Sequence, residues 1–226
     1  MRPLIVTLVH RQYGSAMASW AYAFRQWLDS RPDARFEHLK LYGEPAGLED
    51  GHDIVTAKYQ EAQRHFLAGD WDTFIAVEDD MVLPTDALER LERMLLAGVD
   101  IAYGLYVLRH GLSYRWNAYS ALTEEGGRSL SQERQAAVAA FGQIIPVKGV
   151  GLGCTAIRRE VLEGIDFRRG GPACNDWYLA VDGEKAGYQQ RCDLGLVCGH
   201  MTMEPSPRIV WPAADDPQHL YRIEFL

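Results

Sequence analysis

Positive charge is scarce in this sequence. Its 226 residues carry 23 Lys and Arg against 31 Asp and Glu, a formal net charge of -8. A chain of that sign repels a polyphosphate backbone at long range, which argues against general nucleic-acid binding. Arg158, Arg159, Arg168 and Arg169 lie close in sequence and leave room for a local basic patch. Cysteine is also sparse. Cys154, Cys174, Cys192 and Cys198 make no CxxC pair, so a structural zinc site is not expected. No stretch approaches the ~18 apolar residues of a membrane-spanning helix. The opening run Leu4 to Val9 is too short for a secretory signal. The expectation is a cytoplasmic protein with reduced thiols, Cys154 among them in the core. There is no Pro/Gly/Ser-rich linker, no low-complexity run and no internal repeat. With 47% hydrophobic residues, the chain suits one domain with a sizeable core.

What is present alternates between two periods. Leu4 to Val9 is continuously apolar, the mark of a strand buried on both faces. Met17, Trp20, Ala21, Phe24, Trp27 and Leu28 come next at helical spacing. Phe36 to Leu41 reads as a strand and Ile54 to Leu67 as a helix stopped by Gly69. Thr73 to Val77 is a third strand, and Pro84 introduces a helix near Asp86 to Ala97. Val99 to Val107 is strand-like, and 149–157 is a glycine-punctuated strand. Arg159 to Gly164 and Asn175 to Ala186 are helices, and Leu194 to Cys198 is a last strand. Leu108 to Ile145 shows only a polar helix around Ser131 to Ala140, and Pro205 to Leu226 has no clear period. Such alternation predicts an α/β sandwich with a mostly parallel sheet. Ligands of these sheets bind beyond the carboxyl ends of the strands.

Glu78-Asp79-Asp80 stands at one such end. Three consecutive carboxylates repel one another, and Mg²⁺ or Mn²⁺ offsets that with oxygen ligands. A solvated turn capping the next helix is the other reading. At strand spacing Glu78 and Asp80 share a side and Asp79 faces away. Asp176, opening a helix beside Asn175, is either a helix cap or a carboxylate placed to take a proton. His200 comes after the last apolar strand and is either structural or a ligand suited to Mn²⁺.

The segment Phe74-Ile75-Ala76-Val77-Glu78-Asp79-Asp80-Met81-Val82-Leu83-Pro84 resembles the DxD segment of GT-A glycosyltransferases, with Glu78 in place of the first Asp. Ala57-Lys58-Tyr59 resembles the Ala-Arg-Asn of the preceding helix, with Tyr59 departing from it. Gly149-Val150-Gly151-Leu152-Gly153 is similar to the acceptor-side glycine strand. Asn175-Asp176, with Gly187-Tyr188 at matching distance, is similar to a Glu-Asp pair of the large inverting (family 2-like) group. The resemblance runs from about Pro3 to His200. It implies a GT-A fold, a Rossmann-like α/β/α sandwich over 1–204, with 205–226 a tail packed on the domain.

It also implies an activity: transfer of a sugar from a nucleotide-diphosphate donor, a UDP-sugar by preference, to a hydroxyl acceptor with inversion. Mn²⁺ or Mg²⁺ would be held by Asp80 and His200, with Glu78 direct or through water. Thr7, Val9, Lys58, Glu78, Asp79 and Asp80 would serve the donor, and Asp176 would be the general base. Gly151, Gly153 and Asn175 would lie on the acceptor side. The aromatic and basic crowd at 103–119 suggests Arg115 and Trp116 as further acceptor contacts, to a saccharide first, with a nucleic-acid acceptor still open. Two other readings stand beside this one. A sugar-phosphate nucleotidyltransferase would carry a richer glycine loop than His10-Arg11-Gln12-Tyr13-Gly14. A non-catalytic nucleotide- or carbohydrate-binding protein would explain the replacements at Glu78, Tyr59 and Asn175.

Overall fold

The computed structural model describes residues 1–10, 13–110, 113–149, 151–170, 173–203 and 206–226. Arg11, Gln12, Val150 and Pro205, which enter the sequence reading, lie outside them. In chain order the elements begin with β1 (Pro3–Leu8), α1 (Gly14–Asp29), β2 (Glu37–Leu41), α2 (Gly51–Ala68), β3 (Thr73–Val77), β4 (Met81–Val82), α3 (Ala87–Leu96) and β5 (Ile101–Leu105). Two hairpins come next, β6 (Val107–His110) with β7 (Ser113–Trp116) and β8 (Tyr119–Leu122) with β9 (Gly127–Ser129). Then come α4 (Arg134–Ala140), β10 (Ile144–Pro146), β11 (Cys154–Arg158), α5 (Arg159–Gly164) and α6 (Asn175–Ala186). The chain ends with β12 (Gln190–Val197), β13 (Gly199–Thr202), β14 (Arg208–Pro212) and β15 (Tyr221–Phe225).

The main sheet has seven strands in the order β10-β12-β5-β11-β3-β1-β2. Neighbours β1 and β2, β1 and β3, and β12 and β5 pair in parallel. Of the seven, β11 and β10 run the other way. The result is the mostly parallel α/β sheet that the strand–helix alternation predicts. Its strands sort their side chains with period two. Leu4, Val6, Phe74, Ala76, Ile101 and Tyr103 face one core. Ile5, Ile75, Val77 and Ala102 face the other, which α1 and α3 cover with Trp20, Trp27, Leu88 and Leu91. Both faces are buried, so β1, β3 and β5 read as unbroken apolar runs.

Helix α1 buries Ala16, Trp20, Ala23 and Trp27. The face is turned from the one expected, and Met17 is exposed. The glycine strand is also shorter than expected. β11 begins only at Cys154, because Gly149 and Gly151 hold positive φ of 124° and 90°, outside the extended region.

The segments that resisted reading build the second layer of the site. A four-stranded sheet runs β15-β14-β13-β4, so part of the 205–226 stretch supplies two ordered strands. These strands are short and the two sheets share connections, which leaves no long periodic run to detect. Trp116 corrects the expectation of an acceptor contact. It is 1% exposed, its Nε1 donates to the Leu220 carbonyl at 2.7 Å, and its ring lies 5.8 Å from that of Phe141. Truncation opens a core cavity, so Trp116→Ala should cost about 3 kcal/mol of stability. Urea unfolding checks this; an unchanged midpoint would return the ring to the surface.

Candidate active site

Four strand ends converge. The acid turn lies after β3, His10 after β1, Val107 after β5, and His200 after β12 on the short strand β13. The carboxyl edge of a parallel sheet is where helix N-termini and loops gather, which favours anionic ligands there.

The turn itself closes tightly, with Met81 N donating to the Glu78 carbonyl at 3.2 Å. The chain is therefore no longer a strand at the acids. Strand alternation therefore does not apply to Glu78 and Asp80, and they line different cavities. Asp79 is buried and accepts the His10 N–H at 2.6 Å, which ties the turn to the end of β1. Helix α1 anchors the residues just beyond the turn. Trp20 Nε1 donates to the Met81 carbonyl at 2.8 Å, and Leu83 N–H donates to Ser19 Oγ at 2.9 Å.

Strand pairing sets His200 beside the turn. β13 pairs with β4 so that His200 lies opposite Met81, and Met201 N–H donates to the Asp80 carbonyl at 2.8 Å. His200 Nδ1 lies 2.6 Å from the Val107 carbonyl. A carbonyl only accepts, so Nδ1 carries the proton and Nε2 faces Asp80 Oδ2 at 3.3 Å. Tyr106 buttresses the imidazole edge to face at 5.9 Å. Burial disfavours the imidazolium, but the Asp80 charge, its hydrogen bonds and Glu78 together lift His200 to about 9. The second Asp80 oxygen, Oδ1, is buried with no hydrogen-bond partner.

An imidazole fixed by a backbone acceptor, facing a carboxylate with an unsatisfied oxygen, offers two ligand atoms that a divalent cation could take once Nε2 has lost its proton. Among the described residues no group of three or more His, Cys, Asp and Glu is arranged to hold a metal. The pair fits a cation that takes one or two protein ligands and completes its shell from phosphate and water. It does not fit a closed structural site.

Glu78 opens instead on a cavity of about 490 Å³, which Tyr59, Leu152, Cys174, Asn175 and Asp176 also line. Burial, with the charges of Asp80 and Asp176, raises Glu78 to about 8. Burial and the neighbouring carboxylates thus act against its charged form, and His200 acts for it. Asp176 opens α6 and accepts the Trp177 N–H at 2.7 Å. Burial raises its pKa; that hydrogen bond and His52 pull the other way. Asn175 is 1% exposed, and its Nδ2 has no hydrogen-bond partner. The cavity wall from α2 is fixed by the Asp50 cap, whose Oδ1 accepts from His52 N at 2.8 Å. Arg169 pairs with Asp50 and Asp53 and straps the loop before α6 to that end of α2.

The remaining residues expected at the site take varied positions. Lys58, expected on the donor side, is buried, and Tyr59, not Lys58, lines the cavity. Gly151 and Gly153 make room for Tyr106. A Cβ at Gly151 would sit 1.9 Å from the Tyr106 hydroxyl, and Gly153 N–H donates to that hydroxyl at 3.1 Å. Their close approach is to a side chain of the core. The Gly153 carbonyl also accepts the Glu78 N–H at 3.1 Å, so this turn positions the acid. Arg115 lies on β7, outside both cavity linings. His52, Cys174, Arg109 and Tyr114 join the cavities without having been singled out as site residues. Nothing in local sequence marks His52, which arrives through the α2 cap.

Val9 and Thr7 are buried at the end of β1. The Thr7 hydroxyl is engaged with His38 Nε2 at 3.0 Å rather than facing a cavity. Burial, with Lys40 nearby, pushes His38 down from 6.5 to about 4. Across that window the unfolded chain holds a proton that the folded chain refuses, so folding stability falls as the pH drops through it. His38→Asn should flatten this loss, measured as urea midpoints at both ends of the window. Equal slopes in both proteins would clear His38 of any part in it.

Among the described residues no helix is long and apolar enough to cross a membrane. No family model matches the chain, and no curated protein matches it in sequence. Among solved structures it is similar to A197 from STIV, with a TM-score of 0.60 and 18% identity, over 100% of this chain and 94% of that one. The two share a fold. It is also similar to S. aureus TarS 1–349, with a TM-score of 0.46 and 9% identity, over 92% of this chain and 59% of that one. A likeness that slight adds nothing to the fold assignment.

Proposed function

We propose that this chain is a GT-A-type glycosyltransferase that depends on a divalent cation and moves a sugar from a nucleotide-diphosphate donor to a hydroxyl acceptor. One observation carries the reading. The acid turn at the end of β3 opens through Glu78 on a cavity holding Asp176, and through Asp80 on a second cavity holding His200. Proton removal and leaving-group stabilisation thus have separate places on either flank of one turn.

Asp80 and His200 would hold Mn²⁺ or Mg²⁺, which supplies positive charge to the departing diphosphate. The larger cavity has a volume suited to a sugar and an acceptor hydroxyl. Asp176 takes the acceptor proton as its oxygen bonds to the anomeric carbon. The bond from that carbon to the phosphate oxygen breaks, and the nucleoside diphosphate leaves with the electron pair. A single displacement of this kind inverts the anomeric centre. Glu78, whose charged form burial disfavours, would offer a hydrogen bond to a ligand in the cavity. Two nearby carboxyls with different environments take different roles. A UDP-sugar is the first donor to try.

The test is hydrolysis or transfer from a panel of nucleotide sugars with Mn²⁺. Release of nucleoside diphosphate that stops with EDTA supports the reading. Metal-independent binding of every panel member, without turnover, would leave a binding protein in its place.

A further inference from the structure

The second cavity is small, about 160 Å³, and shares no lining residue with the first. Beside Asp80 and His200 it is lined by Arg109 and Tyr114. These two stand directly opposite each other on the β6–β7 hairpin, so their side chains leave the same face. The hairpin is held from behind. The Tyr114 ring lies 4.8 Å from that of Tyr221 on β15, and Asn117, just after β7, accepts the Tyr106 N–H at 2.9 Å and donates to the Gly104 carbonyl at 2.9 Å.

From this geometry we infer that Arg109, with Tyr114 beside it, holds the diphosphate of the donor. The inference rests on the reading above, since it names the leaving-group contact of that same site. The chamber pairs a guanidinium with a carboxylate–imidazole set suited to a cation. An anion between them is met by positive charge on two sides. The planar fork of Arg matches two phosphate oxygens at once. Its volume falls below the several hundred Å³ that enclose a whole small-molecule ligand, which suits phosphate groups better than a nucleoside or a sugar ring. Recognition here is therefore of the diphosphate itself, whatever base and sugar it carries.

The experiment is calorimetry with inorganic pyrophosphate and Mn²⁺. Arg109 is exposed, so truncating it opens no core, and an unchanged melting temperature verifies that. Arg109→Ala should weaken Mn²⁺-pyrophosphate binding by roughly 10- to 100-fold, the worth of a charge-assisted hydrogen bond. It should weaken UDP and GDP by the same factor. Arg109→Lys should recover part of the loss, because charge returns without the fork. If the wild type binds and Arg109→Ala binds equally well, the inference is wrong while the glycosyltransferase reading stands. If the wild type binds neither pyrophosphate nor any nucleoside diphosphate in the presence of Mn²⁺, the reading itself fails and this inference with it.

Discussion

Replacing Asp176 by Asn should lower turnover by roughly 10²- to 10⁴-fold, the usual worth of a general base, with donor affinity nearly unchanged. The substitution keeps shape and volume. The amide oxygen still accepts from Trp177 N–H, the bond that Asp176 makes at 2.7 Å, so the start of α6 is preserved. What disappears is the lone pair basic enough to take the acceptor proton. Burial raises the Asp176 carboxyl from its ordinary value, against the Trp177 N–H and His52, and a raised carboxylate is a better base. Steady-state kinetics separate the effects: kcat falls and the donor KM stays, since a proton transfer is felt in the transition state alone. Wild-type turnover in the variant would make Asp176 a helix cap and nothing more. A product with retained anomeric configuration would likewise remove the single displacement.

The second large effect is expected at Asp80. Asp80→Ala should abolish the Mn²⁺-dependent part of nucleoside-diphosphate binding and bring the protein to the behaviour of the wild type in EDTA. The variant removes one half of the carboxylate–imidazole pair that strand pairing sets at this edge. His200→Ala should weaken the cation less, since an acid and the diphosphate oxygens still surround it. The ranking is itself a check. A site in which His200→Ala costs more than Asp80→Ala is organised differently from the one described. Both variants need a thermal melt, because each removes one partner of the Asp80–His200 pair, and that loss costs stability apart from any cation.

Much of this frame was legible in the sequence. The bounds of β3 and α6 can be read from an apolar run and from a helix opened by Asn175-Asp176. The mostly parallel sheet can be read from strand–helix alternation, and the place of the acids from the carboxyl-edge rule. The features that escaped each have a physical cause. The acids leave strand geometry at Glu78, so period two stops applying one residue too early to predict their sides. Trp116 reads like a ligand contact because its neighbours are irregular in period, yet it is buried and the Leu220 carbonyl, just before β15, takes its indole N–H. Gly151 and Gly153 look like room for a ligand, and the room is filled by Tyr106. His52, Val107 and Arg109 enter through a helix cap, a backbone carbonyl and a hairpin. Those relations exist only once distant segments have been brought together.

One cation position, shared by Asp80 and His200 and facing the diphosphate, is central to the proposed chemistry. Crystals grown with Mn²⁺ and UDP, with data collected at the manganese edge, measure it directly. The expected result is one anomalous peak at coordination distance, about 2.0–2.2 Å, from an Asp80 carboxylate oxygen and from His200 Nε2, with diphosphate oxygens completing the shell. A bound diphosphate with the peak elsewhere, or with no peak, would contradict it.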